Sequence, residues 1–184
     1  MITKFKVYGA IAVLTCIGAV SVSMLQATNS AQATKALQAR AIVLLNREYQ
    51  LDSLTQTEFS ALKAGTHKGV LDPALAKAIE TESRSIFVAG EASRKSSQLQ
   101  TELLSALTAK PNLVSEPTFA AHNWKSFSVN GNQAFVVVRG SFTEVVDGKQ
   151  RSTANATIHL SLKRTSSKAP WLIANETWSS YNPS

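Results

Sequence analysis

Three imidazoles, His67, His122 and His159, are the groups whose ordinary titration range suits general acid–base work near neutral pH. Such work needs an orienting partner, normally a carboxylate, and none of the three has one close by in sequence. His159 falls in the run 153–163, where Ala154, Ala156, Ile158, Leu160 and Leu162 alternate with polar residues. That alternation describes a half-buried antiparallel strand and places His159 on its polar side, away from the face that helices should cover. His67, between Gly65 and Gly69, reads as a solvated loop residue. His122, beside Asn123 and Trp124 just before the first expected sheet strand, is the one weak catalytic candidate.

The carboxylates add little to this. Glu144 and Asp147 form a nominal pair, but Asp147-Gly148 is a hairpin turn signal and Glu144 belongs to an exposed strand face. Glu80, Glu82 and Glu91, with Lys77, Arg84, Arg94 and Lys95, are mixed-sign helix charge of the kind that makes a solvated surface. The lone cysteine, Cys16, lies in an apolar segment, so there is neither an intrachain disulfide nor a zinc-ligand spacing, and Leu14-Thr15 before it argue against lipidation. No cofactor-binding or metal motif appears. Trp124, Phe135, Trp171 and Trp178 are large rings suited to core or rim packing and are the candidates for partner or ligand contact. Asn155-Ala156-Thr157 and Asn175-Glu176-Thr177 match the glycosylation pattern but fall inside expected strands.

The elements that must position these residues divide at Pro111. From Ala33 to Gln50, Leu37, Ala41, Leu44, Leu45 and Tyr49 recur at helical spacing. Ser53 with Gln56 suggests a capping box, so 54–64 reads as a second short helix ending at Gly65. Asp72-Pro73 is the strongest helix start, and helical character runs to about Ala109 with a break expected at Gly90. Beyond Pro111, aromatic and β-branched residues alternate with polar ones. Strands are expected over 124–129, 134–146, 153–163 and 171–178, with Asn130-Gly131 and Asp147-Gly148 as turns and Gly140 as a bend. The fold class is α+β: about three helices on a bent antiparallel sheet of about four strands.

The N-terminus supplies an address. Tyr8 to Leu25 carries no charge and spans about 27 Å as a helix, close to the hydrocarbon thickness of a bilayer. Residues 1–7 are then a cytoplasmic basic flank, 8–25 a transmembrane anchor, 26–52 a membrane-proximal helix and 53–184 an extracytoplasmic domain, with helices to about 110 and sheet over 123–180. Lys4 and Lys6 place the N-terminus inside by the positive-inside rule. The alternative is secretion after cleavage near Ala33, at Ala31-Gln32-Ala33. The formal net charge is +7, and without Lys4 and Lys6 the basic surplus falls to five, scattered and without aromatic interleaving. On that footprint no nucleic-acid partner is expected, and a basic face near an anionic lipid surface is the simpler reading.

This order of elements, with Phe135 to Gly140, Asp147-Gly148 and Pro170-Trp171-Leu172-Ile173 as its most recognisable residues, resembles the nuclear transport factor 2-like, or cystatin-like cone, superfamily. It resembles in particular the membrane-anchored bacterial members: inner-membrane scaffold components of conjugation and type IV secretion machines, and Mce-associated membrane proteins. The resemblance implies helices packed into the concave face of the sheet. It also implies a non-catalytic envelope scaffold that contacts protein subunits of a transport, conjugation or secretion assembly, with a homo-oligomer as a further option. A cone that holds a lipid or other apolar molecule is the alternative, motivated by the small Ala154 and Ala156 on the apolar sheet face. A cone-fold isomerase or cyclase is the third reading and requires a buried acid–base residue.

Overall fold

The computed structural model describes residues 30–53, 59–60, 63, 66–67, 70–108, 114–146 and 149–180. The anchor candidate Tyr8–Leu25, Cys16, Asp147-Gly148 and most of the short helix expected over 54–64 lie outside the described residues. Among the described residues no helix is long and apolar enough to cross a membrane. The chain divides into two units, Met1–Arg40 and Ala41–Ser184. In the first unit the described residues, 30–40, are helical, Ala31-Gln32-Ala33 included.

The second unit is α+β, with three helices and a four-stranded antiparallel sheet. Helix α1 covers 30–52, and its portion in this unit buries Ala41, Leu44 and Leu45 as the spacing predicts. Ser53 ends it by returning its hydroxyl to the Tyr49 carbonyl at 2.7 Å. Two short strands, β1 (Thr66–His67) and β2 (Val70–Leu71), pair antiparallel before helix α2, Pro73–Ile86. Asp72 caps α2 as expected: Oδ1 accepts from the amides of Ala74 at 2.8 Å and Leu75 at 3.3 Å, while Pro73 opens the first turn. Leu71, Ile79 and Leu99 form a small apolar cluster with Leu51, Phe59, Leu75 and Leu103 against it.

The helical run breaks at Phe87-Val88, not at Gly90, which lies inside α3 (Ala89–Ala106). Both residues are extended, and the Val88 amide donates to the Ile173 carbonyl at 2.9 Å while Phe87 bridges Ile173. An aromatic and a β-branched residue in sequence favour the extended state, and hydrogen bonding to a sheet edge decides it. Gly90 offered only a propensity, which this pairing overrides.

The sheet is a meander, β3 (Val114–Asn130), β4 (Gln133–Val146), β5 (Lys149–Lys163) and β6 (Leu172–Ser180), in that order. It begins at Val114, earlier than the expected 123, and the first strand is accordingly longer than 124–129. The β3–β4 connection is Gly131-Asn132, with Gly131 at φ +57° in the left-handed region that suits glycine. Arg164 braces it through Nε to Asn132 Oδ1 and Nη2 to the Gly131 carbonyl.

Alternation puts Ala134, Val136, Val138 and Phe142 of β4 and Ala156, Ile158, Leu160 and Leu162 of β5 on the buried face. At Gly140 the sheet admits the Phe119 ring: a Cβ there would lie 2.3 Å from Phe119 Cζ and 2.4 Å from the Ala120 carbonyl oxygen. Register shifts at Ala121/Asn123 and Ser141/Thr143 flank the same place. Phe142 collects Phe119, Tyr49 and Trp178 around it, with ring centroids 4.8, 4.5 and 4.6 Å away. Asn46 fastens α1 to the edge strand, accepting from the Phe119 amide at 2.7 Å and donating to its carbonyl at 3.3 Å.

Gly140→Ala is therefore expected to lose about 2–3 kcal/mol of stability by overpacking against the Phe119 ring and the β3 backbone. Gly90→Ala, which meets no atom within 4 Å, should be neutral or slightly stabilising. Urea unfolding of the full-length chain in mild detergent, followed by tryptophan fluorescence, checks both.

Candidate functional site

The strongest concentration of ionisable groups is one that the sequence reading did not assemble. Glu48 lies on the buried stripe of α1, at helical spacing from Leu44 and Leu45, and its side chain is only 2% exposed. Lys95 lies on the packed stripe of α3 with Ala92, Ser96 and Leu99. Glu176 lies on the helix-facing side of β6, opposite Leu160. Packing these three faces together brings the charges to one point. Lys95 Nζ approaches Glu48 Oε1 at 2.6 Å, Glu176 Oε1 at 3.4 Å and Asp52 Oδ2 at 3.6 Å, and lies 5.3 Å from the centroid of the Phe87 ring.

Three carboxyls thus face one ammonium. Burial pushes the Glu48 carboxyl up to about 9, with a hydrogen bond to Glu176 and that residue's charge adding to the effect and Lys95 opposing it. For Lys95 burial works the other way, but the charges of Glu48, Asp52 and Glu176 outweigh it and hold the ammonium above its ordinary range. The arrangement consistent with both directions is a proton on Glu48 and a charge on Lys95 at neutral pH. Glu48 Oε2 and Glu176 Oε2 are buried without a partner, and that proton, shared in a carboxyl–carboxylate hydrogen bond, supplies the missing donor. Asp52, with its side chain 45% exposed, connects the cluster to solvent.

Chemically the arrangement holds a proton on Glu48 and a charge on Lys95 in place. A nucleophilic or basic lysine must shed its proton, whereas Lys95 is held charged among three carboxyl groups, one of them protonated. Lys95 therefore departs from the solvated helix charge expected of it, while Glu82 stays at the surface as expected and there accepts from Arg47 Nη2 at 2.6 Å, tying α2 to α1. Arg84–Glu80 and Arg94–Glu91 do form exposed pairs within their own helices. The signal for the cluster was present: Glu48 and Lys95 each occupy the stripe that their helices bury.

The residues singled out from the sequence are scattered. His122 is exposed and its Nε2 lies 3.1 Å from Ser141 Oγ. His159 is exposed on the helix-free face, as alternation predicts. The side chain of His67 lies outside the described residues. Glu144 is drawn inward from the exposed face expected for it and accepts from the Tyr49 hydroxyl at 2.9 Å. Trp124 is half-buried; Trp171 lies under the Arg164 guanidinium at 4.4 Å; Trp178 stacks on Phe142 and is 46% exposed. Phe135 is 54% exposed on the helix-free face. Among the described residues no group of three or more His, Cys, Asp or Glu side chains is placed to hold a metal ion.

Comparison of the chain with family models, with curated proteins and with solved structures returned no match.

A folded-state carboxyl held above its unfolded value stabilises fully below the unfolded value and loses that contribution as pH rises through the folded one. For Glu48 the window runs from 4.5 to about 9. The stability difference between the wild type and Glu48→Gln, which cannot ionise, should fall across that window in urea titrations. Lys95→Met should cost about 3 kcal/mol at neutral pH, because it leaves buried carboxyls without their cation.

Proposed function

We infer that this chain is a non-catalytic interaction module of a cell envelope, anchored through Tyr8–Leu25 with its N-terminus cytoplasmic and its folded part extracytoplasmic. There it docks onto protein subunits of a transport, conjugation or secretion assembly. The order of helices followed by an antiparallel meander fits a nuclear transport factor 2-like cone, whose membrane-anchored bacterial members work in this way. The buried cluster, closed on itself around Lys95, argues against an acid–base enzyme, and the exposed His122 has a serine rather than a carboxylate for company.

The observation that carries the docking reading is the helix-free face of the sheet. Phe135, more than half exposed, stands on an inner strand beside Val137, and the neighbouring strands contribute His159, Ser161, Asn175 and Thr177 around a shallow depression of about 140 Å³. An aromatic ring over a depression lined without Asp, Glu, Lys or Arg, with Arg139 and Lys163 further out on the same face, has the layout of an interface centre, where charge is depleted and an aromatic anchor supplies most of the energy. The Phe119 ring fills the space left over Gly140, opposite Ala156, which weakens the case for an apolar ligand held at that point of the sheet.

Affinity purification of the full-length protein from its native membranes in mild detergent should recover assembly subunits in fixed proportion. Phe135→Asp should abolish that recovery while leaving the urea midpoint unchanged, and His122→Ala should leave both unaltered. Recovery insensitive to Phe135→Asp, or of this chain by itself, counts against the reading.

A further inference from the structure

A groove of about 500 Å³ opens on a different part of the surface, where the α2–α3 junction meets the connection between β5 and β6. Its walls are apolar: Phe87, Val88 and Ala89 on one side, Ala169, Pro170 and Leu172 on the other. Its charged lining is all of one sign, Arg84, Lys163 and Arg164, with no carboxylate among the lining residues. Arg164 is held in place by three neutral acceptors, Asn132 Oδ1 and the carbonyls of Gly131 and Ser167, and by stacking on Trp171. Its charge is thus fixed in position without a carboxylate among these partners. Lys163 is exposed and makes no ion pair among the described residues, while Arg84 shares its charge with Glu80 at the surface.

Most of the backbone amides of the walls are already committed. The Val88 amide donates to Ile173, Lys163 pairs with Leu172 across the sheet, the Arg164 amide donates to Asn132 and the Ala169 amide to Ser166. A peptide laid along these walls would bury its own amides with few partners to satisfy them, at a cost that an acyl chain does not incur. The volume lies within the range of small-molecule sites, roughly 300–1,000 Å³. From the apolar walls, the cationic lining that holds no carboxylate and the largely committed backbone, we propose that this groove binds a single-chain anionic amphiphile, a long-chain carboxylate. Its tail lies between Phe87–Ala89 and Pro170–Leu172 and its head is met by Lys163 and Arg84. The site is separate from the Phe135 face and stands or falls independently of it.

The test uses the full-length chain in phosphatidylcholine nanodiscs and a laurate carrying a terminal photoreactive diazirine, with labelled residues mapped by mass spectrometry. Labelling is expected at Phe87–Ala89 and Pro170–Leu172, competed by unlabelled laurate and at least roughly tenfold less well by dodecanol or dodecyltrimethylammonium, a difference of about 1.4 kcal/mol. Lys163→Glu and Ala89→Trp, both at exposed positions, should each cut labelling about tenfold, and the remote Lys149→Glu should leave it unchanged; tryptophan fluorescence verifies that each variant is folded. Equal competition by all three amphiphiles, or labelling spread over the surface and insensitive to both groove variants, overturns the proposal. So does displacement of the probe by an apolar peptide with a free C-terminal carboxylate at lower concentration than laurate, which would assign the groove to a protein partner. The wild-type competition series decides the matter even if a variant fails to fold.

Discussion

The ammonium of Lys95 is the point on which the domain is assembled. It draws together α1 through Glu48 and Asp52, β6 through Glu176, and the α2–α3 junction through the Phe87 ring. Burying such a cluster costs desolvation that a set of apolar side chains would avoid, so stability alone does not explain it. What it adds is position. Apolar stripes slide over one another at little cost, whereas a charge that must meet carboxyls from two other elements admits one rotation of each helix and one register of the last strand. The excess of carboxyl over ammonium is relieved by the proton on Glu48, which places that proton among the structural components of the fold.

A second constraint is backbone rather than charge. The edge strand β3 must not be left open to pair with another chain, and at Phe119 it is closed by a side chain, Asn46, which takes both the amide and the carbonyl. The Phe119 ring then turns inward over Gly140, so the hydrogen bond that closes the edge and the close contact at Gly140 belong to one residue. At the opposite side of the sheet, Val88 and Phe87 attach the helices to β6 at Ile173. The helical layer is thereby fastened near both edges of the sheet, with Lys95 between.

The sequence made legible what local physics controls. Asp72-Pro73 starts a helix because cap and ring geometry act within one turn, and the alternation of β4 and β5 is read directly from side-chain period. The inward Glu144 was legible too, since alternation puts it on the face of Phe142 and Val146. Two features were not, for a common reason. The helix break at Phe87-Val88 depends on Ile173, and the charge on Lys95 on Glu48, which lies 47 positions away. Each is decided by a partner distant in the chain, and counting charges on one helix face cannot supply it. The charges of α2 and α3 divide accordingly: Arg84 and Arg94 pair with their own helices and remain at the surface, while Glu82 and Lys95 reach other elements. The partial clue was the interruption of a buried stripe, Ala41, Leu44, Leu45 and then Glu48, by a residue that burial tolerates only when paired.

The same division separates stability from function. Where acid–base chemistry would need a group able to exchange protons with a substrate, the domain has sealed its perturbed carboxyl inside the packing, with Asp52 as its link to water. The groups to which the proposed binding is assigned are accordingly those the core does not use. Phe135 points away from the helices because its neighbours Ala134 and Val136 face them, so strand alternation itself generates an exposed ring on the helix-free face. The groove follows from the same pinning: the extended Phe87-Val88 step that docks the helices to β6 leaves a recess between that step and the turn after Lys163, and Arg164, braced against the β3–β4 turn, holds its charge at the rim. If the two proposed sites do bind, surfaces set by the packing of the core would need little ordering when a ligand arrives, which lowers the cost of binding.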